Sequence, residues 1–236
     1  MHAKTFYDTT AEKYDERHDN VRTKYMRSIE QKLIKKFAAG KVLDIGCGTG
    51  RHLKYGGIGL DISAGMLRHA KKKGFDNLVQ AKAEDLPFRD NCFDSVLCMF
   101  TVLNLCDYGK AVSEIRRVLR KNGIAMVSAA SIWDNAKEDF FTRILSGRKS
   151  HMLHMRIEKF RFNFFAFNKK DFINLFQGFD LKHFHGAYML AKPYWGWHRD
   201  FSAVAKIKLR IAFALERVLQ PFNKTSRMYF AVFEKL

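Results

Sequence analysis

No run of about 18 apolar residues occurs in the 236-residue sequence, so no membrane-crossing helix is expected. The opening stretch, MHAKTFYDTTAEKYDERHDN, lacks the apolar segment of a secretory signal, which predicts no signal peptide. Cysteine is scarce. Cys47, Cys92, Cys98 and Cys106 form no CxxC pair, and three of them fall on or beside predicted core strands. A disulfide framework is therefore not expected, and a reduced, cytoplasmic protein is the plain reading. There is also no internal repeat and no low-complexity tract. What is present is a globular composition, 47% hydrophobic and 28% charged, long enough for one good core and a small appended part.

Acidic residues are in the minority, 24 against 42 Lys and Arg, giving a net charge of +18. The excess is uneven: +3 over residues 1–40, +5 over 41–130 and +10 over 131–236. A basic field attracts RNA, anionic lipid or acidic metabolites, although a well-solvated surface needs no such partner.

Hydrophobic periodicity predicts a helix over residues 5–38, with Tyr25, Ile29, Leu33, Ile34 and Phe37 on one face and Gly40 as its stop. KVLDIG, GIGLDI, NLVQA, FDSVLCMF and IAMVSAAS read as successive strands. A helix capped by Ser63 and the amphipathic segment YGKAVSEIRRVLRKNG lie between them. This alternation implies right-handed crossovers and a mainly parallel sheet. Residues 132–167 are aromatic and basic without a clear element. A helix in NKKDFINLFQG, a strand in FDLKHFHGAYM, a helix over 201–219 and a final strand in SRMYFAVFEKL follow. In the 201–219 helix, Val204, Ile207, Ile211, Leu215 and Val218 form one apolar stripe, with Lys206, Arg210 and Arg217 elsewhere.

The most informative stretch is VLDIGCGTGRHLKYGGIGLDIS, residues 42–63. Gly46, Gly48 and Gly50 give G-x-G-x-G, whereas a dinucleotide turn needs G-x-G-x-x-G, and Arg51 stands where its third glycine would be. No G-x-x-x-x-G-K-[ST] phosphate loop occurs. A compact glycine turn suits a ligand met by bare backbone and lacking a pyrophosphate. Asp61, at the end of the second strand, is placed to accept hydrogen bonds from two ribose hydroxyls. The pair points to a nucleoside with a non-phosphate tail.

VLDIGCGTG, GLDIS, AKAEDLPFRDNCFDSVLCMF and EIRRVLRKNGIAMVS resemble, in order and spacing, the motifs of class I S-adenosylmethionine-dependent methyltransferases. The resemblance is to the methyltransferase type 11 group, which includes ubiquinone/menaquinone C-methyltransferases and is related to tRNA wobble-uridine methyltransferases. It covers roughly residues 5–130, with FYDTTAEKYDERH similar to that group's opening helix. It implies an α/β, Rossmann-like sheet, mostly parallel with the last strand antiparallel and helices on both faces. A C-terminal helical and aromatic insertion would separate the last two strands. Three parts follow: an N-terminal helical lid over 1–40, a cofactor core over 41–131, and a substrate-side part over 132–236 that completes the sheet.

By position, the resemblance implies that Asp44 and the backbone of Gly46, Cys47, Gly48 and Gly50 hold the methionine part of S-adenosylmethionine. Asp61 would bind the ribose and Ile62 would pack on the adenine. Ala83, with Glu84 or Asp85, would read the adenine edge. Met99 and Phe100 would face the sulfonium, and Tyr14, with Tyr7, would close over the cofactor. Two departures stand out. Lys82 occupies a place that is commonly acidic, and the segment after the fourth strand reads VLNLCD, with Asn104 where a histidine pair is common.

Catalytic candidates are few. His183 and His185 share one face of a predicted strand, and Asn104 is a third candidate. His151 and His154 could share a helix face, but no Cys, Asp or Glu completes a ligand set, so no metal is expected. KPYWGWHRD, residues 192–200, reads as an aromatic substrate lid or a hydrophobic plug, and the Phe-rich run over 160–179 reads as core. No Asp/Asn-Pro-Pro-aromatic motif marks an exocyclic-amine methylase, and Cys106 lacks the setting of a covalent C5-pyrimidine enzyme. Three functions remain. The first is methylation of a small apolar or amphiphilic acceptor, with the basic helix resting on anionic membrane. The second is methylation of RNA, notably tRNA, through the basic C-terminal part. The third is a non-catalytic, cofactor-binding partner subunit.

Overall fold

The computed structural model describes residues 3–55, 57–133, 140–157, 160–190 and 203–236. In chain order its elements are α1 (Ala3–Thr10), α2 (Tyr14–Arg17), α3 (Val21–Phe37), β1 (Val42–Ile45), β2 (Ile58–Asp61), α4 (Ala64–Lys72), β3 (Leu78–Gln80) and β4 (Phe93–Cys98). Then come α5 (Val102–Leu105), α6 (Tyr108–Val118), β5 (Leu119–Ala130), α7 (Phe140–Leu145), β6 (His151–Ile157) and β7 (Phe160–Ala166). The chain ends with α8 (Lys169–Asn174), β8 (Phe179–Ala187), α9 (Ala203–Leu215) and β9 (Met228–Lys235).

Seven strands form one sheet in the order β3-β2-β1-β4-β5-β9-β8. Pairings among β3, β2, β1, β4 and β5 are parallel, and β9 runs antiparallel to both β5 and β8. This is the expected Rossmann-like sheet with its last strand reversed, and α9 lies in the excursion between β8 and β9. Helices cover both faces because each carries one apolar stripe. On one face Ala111, Val112, Ile115 and Val118 of α6, with Phe172 of α8, pack on Leu43, Val96, Ala125 and Tyr229. On the other, Met26, Ile29, Leu33 and Ile34 of α3 pack on Leu97, Met126, Phe230 and Val232. Burying one such side chain contributes about 1.5–3 kcal/mol, so each stripe outweighs the propensity of its short helix.

The single helix predicted over 5–38 is broken into α1, α2 and α3. The break is local chemistry: Asn20 Oδ1 accepts from the amides of Arg22 and Thr23, both at 3.1 Å, and Thr23 Oγ1 accepts from the Asn20 amide at 3.2 Å. This reciprocal cap starts a new helix at Val21.

Residues 151–157 and 160–166, which carried no predicted element, form the antiparallel strand pair β6 and β7. Phe160, Phe162 and Phe164 alternate inward, as core, and the first two meet Phe6 of α1 edge-on at 5.3 and 5.1 Å. His151 and His154 therefore sit on a strand, where a spacing of three puts them on opposite faces rather than on one helix face.

The 201–219 helix is α9, but its stripe is reversed from the usual arrangement. Leu209, Phe213 and Glu216 are buried, while Val204, Ile207, Ile211, Leu215 and Val218 are 50% to 76% exposed. Residues 192–200 lie outside the described residues.

Candidate functional site

The loop after β1 is shaped by its glycines. The amides of Gly46 and Cys47 both donate to the Leu60 carbonyl, at 2.7 and 3.0 Å, which ties the loop to the end of β2. Gly46 has φ +72°, and a Cβ there would lie 2.3 Å from Val102 Cγ2. Gly48 has φ +56° and differs in kind: a Cβ added there meets no protein atom within 4 Å. Its bare backbone borders open space that a ligand can take.

Asp61 closes β2 beside this loop. Its Oδ2 accepts from the Gly48 amide and its Oδ1 from the Ser63 amide, both at 2.8 Å. Burial pushes its carboxyl up to about 6, with Asp44 and Asp8 adding to the rise and the two amides opposing it. Each oxygen has one donor and keeps capacity for another. Ser63 caps α4 by accepting from the Met66 amide at 3.1 Å and donates to Asp8 Oδ1 at 2.7 Å. Asp8 also accepts from the Gly65 amide at 2.9 Å and pairs with Lys4 at 2.6 Å. Burial would raise the Asp8 carboxyl, but Lys4, Gly65 and Ser63 outweigh it and hold it at about 2.

These elements enclose a cavity of about 140 Å3 at the C-terminal ends of β1, β2 and β4. Its walls bring together Tyr14, Gly46, Gly48, Asp61, Ile62, Ala83, Glu84, Met99 and Phe100 from the candidates above. Tyr7 and Tyr14 cover it from the N-terminal helices, with burial raising both phenols above their ordinary range. Phe100 ends the strand with φ +73°, a strained conformation for a bulky side chain, and its amide donates to Ser128 Oγ at 2.6 Å. His18 packs on Tyr14 with the rings tilted at 4.3 Å and meets Phe100 edge-on at 5.8 Å; burial lowers its pKa to about 4, so it is neutral at pH 7.

Other candidates stand apart from the cavity. Cys47 is turned beneath the loop, where its Sγ lies 2.9 Å from where a Gly59 Cβ would be, and Gly50 packs on Phe75. Asp85 is exposed and its backbone amide donates to the Lys82 carbonyl at 3.2 Å, whereas its neighbour Glu84 is on the wall and accepts from the Asp107 amide at 3.1 Å. Asp44 is buried behind the loop with its Oδ2 3.5 Å from His52 Nδ1, an ion-pair contact that leaves that oxygen without a hydrogen bond. His52 Nε2 lies 3.3 Å from Glu30 Oε2, and Arg51 reaches the same oxygen at 3.4 Å. Burial alone would lower the His52 pKa, but Asp44 and Glu30 raise it to about 9. Arg51, the residue that breaks the dinucleotide spacing, thus faces α3 and pins it to the loop. Asp15 adds a second clamp, accepting from Thr49 Oγ1 at 2.8 Å and from Lys73 Nζ at 2.5 Å.

None of the three catalytic candidates lines the cavity. His183 and His185 lie on β8, at the far edge of the sheet, and line a separate groove against α3 and α9. Burial lowers both pKa values, that of His185 to about 4. Asn104 is buried and committed: its Nδ2 donates to the carbonyls of Ala130 and Phe165 at 2.9 and 2.7 Å, and its Oδ1 accepts from the Ala130 amide at 2.9 Å. It fastens α5 to β5 and β7. Asn104→Ala is expected to cost about 2–3 kcal/mol, read as a lower denaturant midpoint at unchanged slope.

Thr101, Met66, Ala3 and Cys106 also line the cavity and were not singled out for it. Burial, with Glu84 and Asp107, pushes the Cys106 thiol up to about 12, so it is protonated and a poor nucleophile. Thr101 and Cys106 flank the fourth-strand motif, so adjacency was the available signal. Ala3 and Met66 had none, because only the docking of α1 on α4 puts them there.

A family model described as Methyltransferase domain matches residues 43–127. Over 138 residues the chain is 42% identical to an uncharacterized protein of Methanocaldococcus jannaschii, covering 57% of this chain and 54% of that one. Over 156 residues it is 30% identical to the demethylmenaquinone methyltransferase of Paenarthrobacter aurescens, covering 60% of this chain and 62% of that one. The chain spans about half the length of the curated relatives it matches. A solved Thermotoga maritima structure, described as an S-adenosylmethionine-dependent methyltransferase and possible histamine N-methyltransferase, aligns at TM-score 0.65 and 20% identity over 100% of both chains. That likeness establishes the fold.

Proposed function

We propose, for a chain whose residues 43–127 match a methyltransferase-domain model and which resembles a demethylmenaquinone methyltransferase, an S-adenosylmethionine-dependent methyltransferase acting on a small, apolar or amphiphilic acceptor such as a quinone or lipid precursor. The carrying observation is the pairing of Asp61 with Gly48. A buried carboxylate with spare acceptor capacity stands beside a backbone position whose side is open. That combination fits a ribose diol next to a tail met by bare backbone.

On this reading Asp61 holds both ribose hydroxyls, and Ile62 packs on one face of the adenine. Ala83, through its amide, and Glu84, through its carboxylate, read the adenine edge. Gly46 and Gly48 admit the methionine part, while Met99, Phe100 and Tyr14 line the dry space around the reacting centre. When bound, the sulfonium supplies an already activated methyl group. The chain's own work is then positioning and water exclusion. Ligand pockets ordinarily hold about 300–1,000 Å3, so a cavity of about 140 Å3 must widen to admit the cofactor. Within the N-terminal lid, residues 1–40, the part that gives way is α1 and α2, which carry Tyr7 and Tyr14, while α3 stays packed on the sheet. Residues 41–131 then form the cofactor core and 132–236 the acceptor side.

A small acceptor is favoured over RNA by where the basic groove lies. The groove against β8 shares no lining residue with the cavity. The test is transfer of labelled methyl from S-adenosylmethionine to total lipid extract and total RNA, side by side. Label in the lipid fraction is the expected result. Label in RNA alone overturns the acceptor class, and label in neither overturns the activity, leaving a cofactor-binding partner subunit.

A further inference from the structure

The outward face of α9 combines two features. At about 100° per residue, Val204, Ile207, Ile211, Leu215 and Val218 fall within an arc of roughly 80°. All five are exposed, with none of the burial an apolar stripe ordinarily finds. The same geometry puts Lys206, Arg210 and Arg217 along one flank of the stripe and Lys208 along the other. From Ala203 to Leu215 there is no acidic residue, and Glu216, the next, is buried against the Tyr25 hydroxyl and the amides of Tyr188 and Leu190.

The basic flank continues into a groove of about 480 Å3 between α9, α3 and β8. Arg210 and Arg217 face Lys24, Lys32, His183 and His185 across it, over an apolar floor that includes Leu33 and Phe213. Among the described residues no acidic side chain lines it, although Lys24 pairs at 3.0 Å with Asp19 outside it. His185 Nε2 is buried without a hydrogen-bond partner, so a polar atom is available at the base.

We infer that the outward face of α9 docks on an anionic lipid bilayer, its aliphatic stripe entering the acyl boundary while the adjoining basic groove takes lipid phosphate headgroups. Charge selects this occupant. A second copy of the chain would bring another +18 against a stripe already flanked by cations. RNA would be met by valine, isoleucine and leucine, which offer bases no ring to stack on. An anionic bilayer satisfies both halves at once, since aliphatic side chains partition into the acyl boundary and each basic side chain adds electrostatic attraction. The surface lies outside the cavity, so the inference stands whether or not the proposed acceptor is right.

The test is co-sedimentation of the full chain with vesicles of phosphatidylcholine alone and of phosphatidylcholine mixed with phosphatidylglycerol. Binding to the mixed vesicles, weakened by salt and at least about tenfold weaker with phosphatidylcholine alone, is expected. Ile207→Asp/Ile211→Asp should abolish it, with an unchanged circular dichroism melt because both side chains are exposed. Arg210→Gln/Arg217→Gln should weaken it by roughly fivefold per residue and leave the weak phosphatidylcholine binding alone. Equal binding to both vesicles, or to neither, overturns the inference. So does a concentration-dependent dimer in sedimentation that Ile207→Asp/Ile211→Asp dissolves, or RNA binding lost in the arginine variant, in a protein that ignores vesicles.

Discussion

Asp61→Ala is expected to lower affinity for S-adenosylmethionine by about 100-fold or more in calorimetric titration. A carboxylate that accepts from two hydroxyls makes two charge-assisted hydrogen bonds, each worth about 1.5–3 kcal/mol, and alanine makes neither. The fold should survive. A rise from 3.8 to about 6 corresponds to roughly 3 kcal/mol held against the ionised form in the ligand-free protein. Removing that charge offsets the loss of its bonds to the Gly48 and Ser63 amides, so the melting temperature should move little. The pH dependence has a definite sign. In the ligand-free protein Asp61 is ionised only above about pH 6, so affinity should be full above that value and fall below it. The same residue makes the ligand-free protein more stable as pH falls from about 6 to 3.8, because there the folded state binds the proton more readily. Affinity that stays flat between pH 5 and 7, or survives in Asp61→Ala, would remove Asp61 from the site.

Glu30→Gln should be the most damaging single change to stability. Glu30 is fully buried and faces both His52 and Arg51, and neutralising it leaves a buried cation, His52, and a half-buried one, Arg51, facing an amide. Breaking a buried pair from one side costs about 3–5 kcal/mol. Burial would raise the Glu30 carboxyl, but His52 and Arg51 outweigh it and lower its pKa, so its contribution is present above 4.5 and lost as pH falls. His52 has a raised folded pKa, so its contribution is complete below 6.5 and lost as pH rises through about 9. The Glu30 and His52 contributions together are therefore level between about pH 4.5 and 6.5; thermal scans should show a decline on the alkaline side and, below about pH 6, the rise that Asp61 adds. In Glu30→Gln the whole curve should drop, and the alkaline decline, which still starts near pH 6.5, should be smaller and end at lower pH. Because this cluster holds α3 against the glycine loop, cofactor affinity should fall with it. A variant that melts within a degree or two of the parent would show that α3 is held by its apolar stripe alone.

The glycine loop, the Ser63 cap and the mainly parallel sheet were legible in the sequence, because each is decided by neighbours in the chain. A glycine stands without strain where φ is positive, a cap must precede its helix, and alternating strands and helices leave one handed way to wind. The Asn20 cap was equally local and was passed over, since the apolar period of residues 5–38 runs straight through it. Contacts between distant segments were not legible. Asn104 looked like a candidate beside the cavity until its partners, 26 and 61 residues away, took both of its amide hydrogens. His183 and His185 shared a face as expected, but the order of β8 in the sheet, rather than anything in their own segment, carried them away from the cavity. Arg51 excluded a dinucleotide by its position, yet its own role rests on Glu30, which only the packing of α3 brings to it. Helix α9 marks the limit most clearly. Periodicity established that Val204, Ile207, Ile211, Leu215 and Val218 share a stripe, but a period carries no information about what lies opposite. The tertiary structure decided that Leu209, Phe213 and Glu216 take the inside, because Tyr25, Tyr188 and the ends of β8 offer them stacking and amide donors, and so left the stripe facing out.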